Sequence, residues 1–205
     1  MRTALNLPNL LSLLRMGLIP FFIIAMTRGD TGQALLIFVI AGVTDALDGF
    51  LARFWRQQTA LGAYLDPAAD KLLLVTAYVS LTLESVAPVV TIPLWITILV
   101  IARDVVIVTT VAALYMALEV RSFPPTVLSK MTTVTQVVAV SLVLIANAWQ
   151  GAGVLELAAH WSLYLVAFFT LASGFHYVLL AMRMGGGDDA AEAAPDPAGD
   201  PSADA

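Results

Sequence analysis

Residues 33–83 read QALLIFVIAGVTDALDGFLARFWRQQTALGAYLDPAADKLLLVTAYVSLTL, two apolar runs joined by a strip of charge. Four aspartates (Asp45, Asp48, Asp66, Asp70) and two arginines (Arg53, Arg56) fall between positions 45 and 70 of a chain that is 60% hydrophobic and only 12% charged. Soluble domains carry about 25% charged residues, and the mean hydropathy here is +0.87. The chain reads as a bilayer protein in which charge is admitted at a few chosen places. It has no cysteine, which excludes a disulfide framework and a thiolate metal site.

The net charge of −5 over 205 residues describes the C-terminus rather than the body. From Asp188 onward there are six acids and no base, so the remainder holds ten basic and nine acidic residues. The tail GGGDDAAEAAPDPAGDPSADA, residues 185–205, lacks large apolar side chains and is expected to be a disordered acidic tail. Residues 1–184 form one membrane domain. Nothing in the chain points to nucleic acid.

A spanning helix needs about twenty mainly apolar residues. Six stretches qualify: 10–26, 33–52, 63–83, 90–118, 126–149 and 154–182. The expected fold is therefore all-α, a polytopic bundle of six transmembrane helices. TRGDTG, ESVAP, EVRSFPP and QGAG connect them with breakers and turn formers. With both termini in the cytoplasm, Arg2, Arg53, Arg56, Arg121, Lys130 and Arg183 lie on the cytoplasmic side and Arg28 on the other. The positive-inside rule favours that orientation. It puts the aspartate stretch at the cytoplasmic face of an inner membrane.

Asp45, Asp48, Gly49 and Ala52 are spaced i, i+3, i+4, i+7 and share one helical face. Gly62, Asp66 and Asp70, at i, i+4, i+8, share another if the helix is continuous. Asp66-Pro67 also reads as a helix start, with Asp as N-cap and Pro at N1, which would detach Gly62. With a turn near 54–61 the two faces oppose each other and four carboxylates converge. Such carboxylates repel unless protonated or bridged by a cation. Oxygen-only ligands without His or Cys suit Mg²⁺ or Mn²⁺, or Ca²⁺, rather than zinc. Gly49, Ala52 and Gly62 permit close helix approach or a flat ligand, and the fixed fork of Arg53 suits phosphate. Structural pairs, Asp48 with Arg53 or Asp70 with Lys71, are the plainer alternative.

The spacing Asp45-x2-Asp48-Gly49-x2-Ala52-Arg53-x8-Gly62-x3-Asp66-x3-Asp70 resembles the signature of the CDP-alcohol phosphatidyltransferases, with every fixed position filled. The resemblance covers about residues 5–182. It implies a six-helix enzyme, usually a homodimer, that transfers a phosphatidyl group from CDP-diacylglycerol to an alcohol or lipid acceptor and releases CMP. It implies that Asp45, Asp48 and Asp66 ligate two divalent ions, Mg²⁺ or Mn²⁺, and that Asp70 approaches them while deprotonating the acceptor. Gly49, Arg53 and Thr59, with Ala52 and Gly62 of the same motif, would meet the CDP part of the donor, and Pro8 and Asn9 would line the pocket.

The acceptor is read from other stretches. NLPNLLSLLRMGLIPFFI (6–23) resembles both phosphatidylglycerophosphate synthases and CMP-forming cardiolipin synthases. Arg103-Asp104 and PPTVLSKMTTVTQ (124–136) resemble the cardiolipin synthases more, implying phosphatidylglycerol, with glycerol 3-phosphate the alternative. Beyond Arg53, Arg103 and Lys130 are the cations assigned to the acceptor; Arg103 could instead pair with Asp104 or Glu119. A divalent-cation transporter is a further reading, though it would need acids near the midplane on facing spans.

Overall fold

In the computed structural model the backbone is described for residues 7–55, 60–118 and 127–192, and the side chains for 10–45, 47, 69–110 and 127–179. Six α-helices follow one another: α1 Leu7–Thr27, α2 Thr31–Trp55, α3 Ala60–Leu81, α4 Leu94–Leu118, α5 Val127–Ala148 and α6 Gly153–Glu192. They match the six expected apolar stretches in order and position, and the described residues contain no strand.

The turns form where the sequence supplies the chemistry. Gly29 adopts φ 74° and ends α1, its N–H bonding Met26 O at 2.9 Å while Asp30 N–H bonds Ala25 O at 3.0 Å. That crossed pair is a Schellman ending, which needs a residue tolerant of positive φ. Asp30 then caps α2, its carboxylate accepting from the Gln33 N–H at 2.9 Å. Gly151, at φ 90°, makes the corresponding turn before α6.

Two boundaries differ from expectation. Residues 90–93 are not helical, and α4 starts at Leu94. Pro93 supplies no N–H and disfavours helix in the residue before it, so 82–93 folds as a compact connection. Its Val86, Ala87, Val90 and Ile92 are buried. At the other end α6 continues to Glu192, so residues 185–192 are helical where a disordered tail is expected from 185. Local propensity does not explain the extension, since the glycines at 185–187 each cost about 1 kcal/mol relative to alanine in a helix and acids near a C-terminus oppose the helix dipole. Residues 193–205 lie outside the described part. At 40 residues, α6 is about 60 Å long, twice the roughly 30 Å of a hydrocarbon core.

Helix α1 packs against α2 and α3, α5 against α6 and α2, and α4 against α6, with α3 touching α2, α4 and α5. The core combines Phe22, Met26, Phe38, Tyr78, Leu81, Ile96, Val140 and Leu144 with fully buried alanines 25, 34, 41, 77, 139, 146 and 159. Small residues at the contacts let helices approach closely, as membrane bundles require. The outer faces expose Phe21, Leu36, Val108, Phe168, Phe175 and many other apolar side chains. By length and composition α1 (Leu10–Thr27), α5 (Val127–Ala148) and α6 (Gly153–Leu179) are able to cross a bilayer. The apolar part of α2, Thr31–Asp45, is shorter. These are the features of an all-α membrane protein.

Asn147 ties the 82–93 connection to α5. Its buried amide accepts from Val89 N–H at 3.0 Å and Val90 N–H at 3.4 Å, and donates to Val90 O at 2.9 Å and Val143 O at 2.8 Å. Asn147→Leu keeps the volume but strands these backbone groups. It is expected to destabilise the protein by about 2–4 kcal/mol, read as a lowered Tm in detergent.

Candidate active site at the α2–α3 hairpin

Helix α3 is continuous from Ala60 through Pro67 to Leu81, so Gly62, Asp66 and Asp70 belong to one helix. Asp66-Pro67 is therefore not a helix start. Asp45, Asp48, Gly49, Ala52 and Arg53 all lie on α2. The backbone thus delivers the two opposed helices that the motif needs. Side chains at Pro8, Asn9, Asp48, Gly49, Ala52, Arg53, Gly62 and Asp66, and all of Thr59, fall outside the described residues. Pro8 and Asn9 occupy the first turn of α1.

The two motif aspartates with described side chains, Asp45 and Asp70, come together. Both meet Nη1 of Arg15, which lies on α1: Asp45 Oδ1 is 2.9 Å away, and Asp70 Oδ1 accepts a hydrogen bond from the same nitrogen. Arg15 is 1% exposed, whereas the aspartate side chains are 43% and 44% exposed. The cation is thus buried and the carboxylates remain accessible. The plainer pairing of Asp70 with Lys71 is not what forms. Lys71 Nζ bonds Asp104 Oδ2 at 2.6 Å instead.

Arg15 goes unassigned at the level of sequence, because no motif position includes it. Its signal is nonetheless present: a lone cation inside the apolar run 10–26, where an ionisable group in a span is a functional candidate by default. Lys71, on α3, is a second cation at the site that no motif position includes.

A cavity of about 190 Å³ opens beside these groups, lined by Arg15, Asp45, Asp70, Lys71 and Thr133 together with apolar residues such as Phe38. A second, of about 460 Å³, shares Lys71 and Thr133 and continues along Val75, Arg103, Asp104, Val105, Val108 and Ser129. Arg103, assigned to an acceptor from sequence, is 6% exposed and held on three sides. Its Nη1 bonds Asp104 at 2.9 Å, and its Nη2 bonds Ser129 Oγ at 2.7 Å and Ser173 Oγ at 2.8 Å. Lys130 is exposed and lines neither cavity. His160 and His176 are exposed and stand apart from both.

The residues present fit a hard divalent cation. Two carboxylate oxygens from facing helices reach one point that a cationic nitrogen fills, and the donors are oxygen only. Among the described residues no group of three acidic or histidine side chains forms.

The model of the CDP-alcohol phosphatidyltransferase family matches residues 5–172. The chain belongs to that family. It is 36% identical to human cardiolipin synthase (CMP-forming) over 190 residues, covering 84% of this chain and 60% of that protein. It is also 36% identical to the Haemophilus influenzae CDP-diacylglycerol–glycerol-3-phosphate 3-phosphatidyltransferase over 179 residues, 86% of this chain and 93% of that protein. The Escherichia coli K12 protein of the latter name is 51% identical over 80 residues, 38% of this chain and 44% of its own. The chain thus spans about 60% of the length of the human relative.

The setting of Arg103 makes it a tie between α4, α5 and α6. Arg103→Met is expected to destabilise the protein by about 2–4 kcal/mol. Arg103→Lys should recover less than half of that, because one ammonium does not reproduce the fork. Thermal unfolding checks both. An acceptor-binding role alone would raise the acceptor KM and leave Tm in place.

Proposed function

We propose that this protein is a phospholipid-synthesising enzyme that transfers a phosphatidyl group from CDP-diacylglycerol to an alcohol and releases CMP. The observation that carries the reading is the convergence of Asp45 and Asp70, from two helices, on one cation position at the edge of a cavity. Both are motif aspartates of a family whose model matches the chain. Asp45, Asp48 and Asp66, joined by Asp70, would hold divalent ions, Mg²⁺ or Mn²⁺ and two in number. Bound there, the ions would supply charge stabilisation to the phosphoryl oxygens and the departing CMP.

The chain's own residues provide the rest. Gly49, Ala52, Arg53, Thr59 and Gly62, with Pro8 and Asn9, position the donor. Asp70 accepts the proton of the acceptor hydroxyl as its oxygen bonds to the β-phosphorus. The bond from that phosphorus to the CMP oxygen breaks, and CMP leaves with the electron pair. The chain works in an inner membrane with both termini and the site on the cytoplasmic side, as a homodimer among membrane lipids.

For the acceptor we favour phosphatidylglycerol, making the product cardiolipin. Arg103 is already committed to Asp104, Ser129 and Ser173, and the larger cavity is mainly apolar with Val105 and Val108 exposed on its outer side. That setting suits a lipid monoanion better than a small dianion. Glycerol 3-phosphate is the second reading, favoured by the Haemophilus influenzae relative, which the match covers over 93% of its length.

Purified protein with CDP-diacylglycerol, Mg²⁺ and phosphatidylglycerol is expected to release CMP and form cardiolipin. Glycerol 3-phosphate in its place should give no lipid product. Asp70→Asn is expected to slow CMP release by about a hundredfold or more; release at the wild-type rate would remove Asp70 from the mechanism. Metal uptake into vesicles without CMP would favour a transporter.

A further inference from the structure

Arg15 occupies an unusual place for a residue outside the motif. Its guanidinium is almost wholly buried, yet two of its carboxylate partners, Asp45 and Asp70, are nearly half exposed and face a cavity that Arg15 itself lines. A buried guanidinium needs paired charge, and two adjacent carboxylates need a cation between them. A single nitrogen, Nη1, meets both requirements by contacting Oδ1 of Asp45 and Oδ1 of Asp70 at once.

We propose that Arg15 is a positioning residue that fills the cation position between Asp45 and Asp70 and yields it to the divalent ion. The inference rests on the phosphatidyl-transfer reading and goes beyond it, because that reading assigns Arg15 nothing. The donor atoms are shared. An ion bound to these two oxygens takes the place of Nη1, so the guanidinium withdraws from at least one carboxylate as the ion enters. Until then Arg15 holds α2 and α3 together against the repulsion of their aspartates.

A contact made only in the metal-free state lowers the apparent affinity for metal by the factor through which it stabilises that state. Removing Arg15 therefore has two linked effects. The metal-free protein becomes less stable, and it binds metal more tightly. A merely structural salt bridge behaves differently, since its loss weakens the metal-free and metal-bound proteins alike.

The test is Mn²⁺ titration of the full chain in detergent, followed by the loss of the free-ion EPR signal, with thermal unfolding in EDTA and in saturating Mn²⁺. Arg15→Met is expected to bind Mn²⁺ about tenfold more tightly than wild type, since hydrogen bonds to charged groups of this kind carry about that factor. Its two melting temperatures should lie further apart than those of the wild type. Arg15→Lys, which keeps the charge without the fork, should fall between.

Unchanged or weaker binding by Arg15→Met, or equal loss of both melting temperatures, overturns the proposal. If Arg15→Met does not fold, Arg15→Lys decides alone: a wild-type or weaker affinity overturns it. A wild type that binds Mn²⁺ and releases CMP while the variants match its affinity sinks this inference only. A wild type that neither binds Mn²⁺ nor releases CMP sinks the metal reading along with it.

Discussion

One buried cation, Arg15, fixes the arrangement of the first three helices. A guanidinium inside an apolar bundle is costly unless its partners are close and well aimed. Among the described residues its partners are Asp45 on α2 and Asp70 on α3. Helix α1 therefore has to lie against both, and the packing shows it doing so. The same stripe of α1 that buries Arg15 also buries Ser12, Phe22, Ala25 and Met26, so the polar anchor and the apolar contacts share one face.

The other half of the bundle is fastened by a second polar system. Arg103 links α4 to Ser129 of α5 and Ser173 of α6, and Asp104 reaches back to Lys71 on α3. Asp70 and Lys71 are neighbours in sequence, about 100° apart around the helix, and they turn to opposite partners. Asp70 takes the Arg15 side and Lys71 takes Asp104. Helix α3 is thus the shared wall of the two systems, which explains why Lys71 lines both cavities. A shift of α3 at this point would disturb both at once.

The helices and the motif were legible in the sequence because both depend on local quantities. Apolar length marks a span, and spacings of three and four mark a helical face. Where local signals competed, tertiary structure decided: Pro67 reads as a helix start but lies within α3, while Pro93 closes the non-helical 82–93 connection directly before α4 begins at Leu94. What could not be read was pairing across the fold. Arg103 meets Ser129 and Ser173 over 26 and 70 positions, and Arg15 meets Asp70 over 55. No periodicity encodes such distances. For Arg103 the sequence offers both an acceptor role and a local pair with Asp104; the local pair forms, the two serine partners carry no local signal, and Arg15 did not enter the candidate site at all.

Those pairings bear on how one scaffold distinguishes its acceptors. The charged side chains described along the two cavities are Arg15, Lys71 and Arg103 against Asp45, Asp70 and Asp104, which sum to zero. Each of these cations already contacts an aspartate. A small dianionic acceptor would have to draw its countercharge from elsewhere, whether from bound ions or from residues such as Arg53. A lipid acceptor with one phosphate asks for less charge and offers acyl chains to surfaces such as Val105 and Val108, which already face outward. Under the proposed reading, then, the aspartate motif sets the chemistry, and the acceptor is selected by how little positive charge the surrounding pairs leave unopposed.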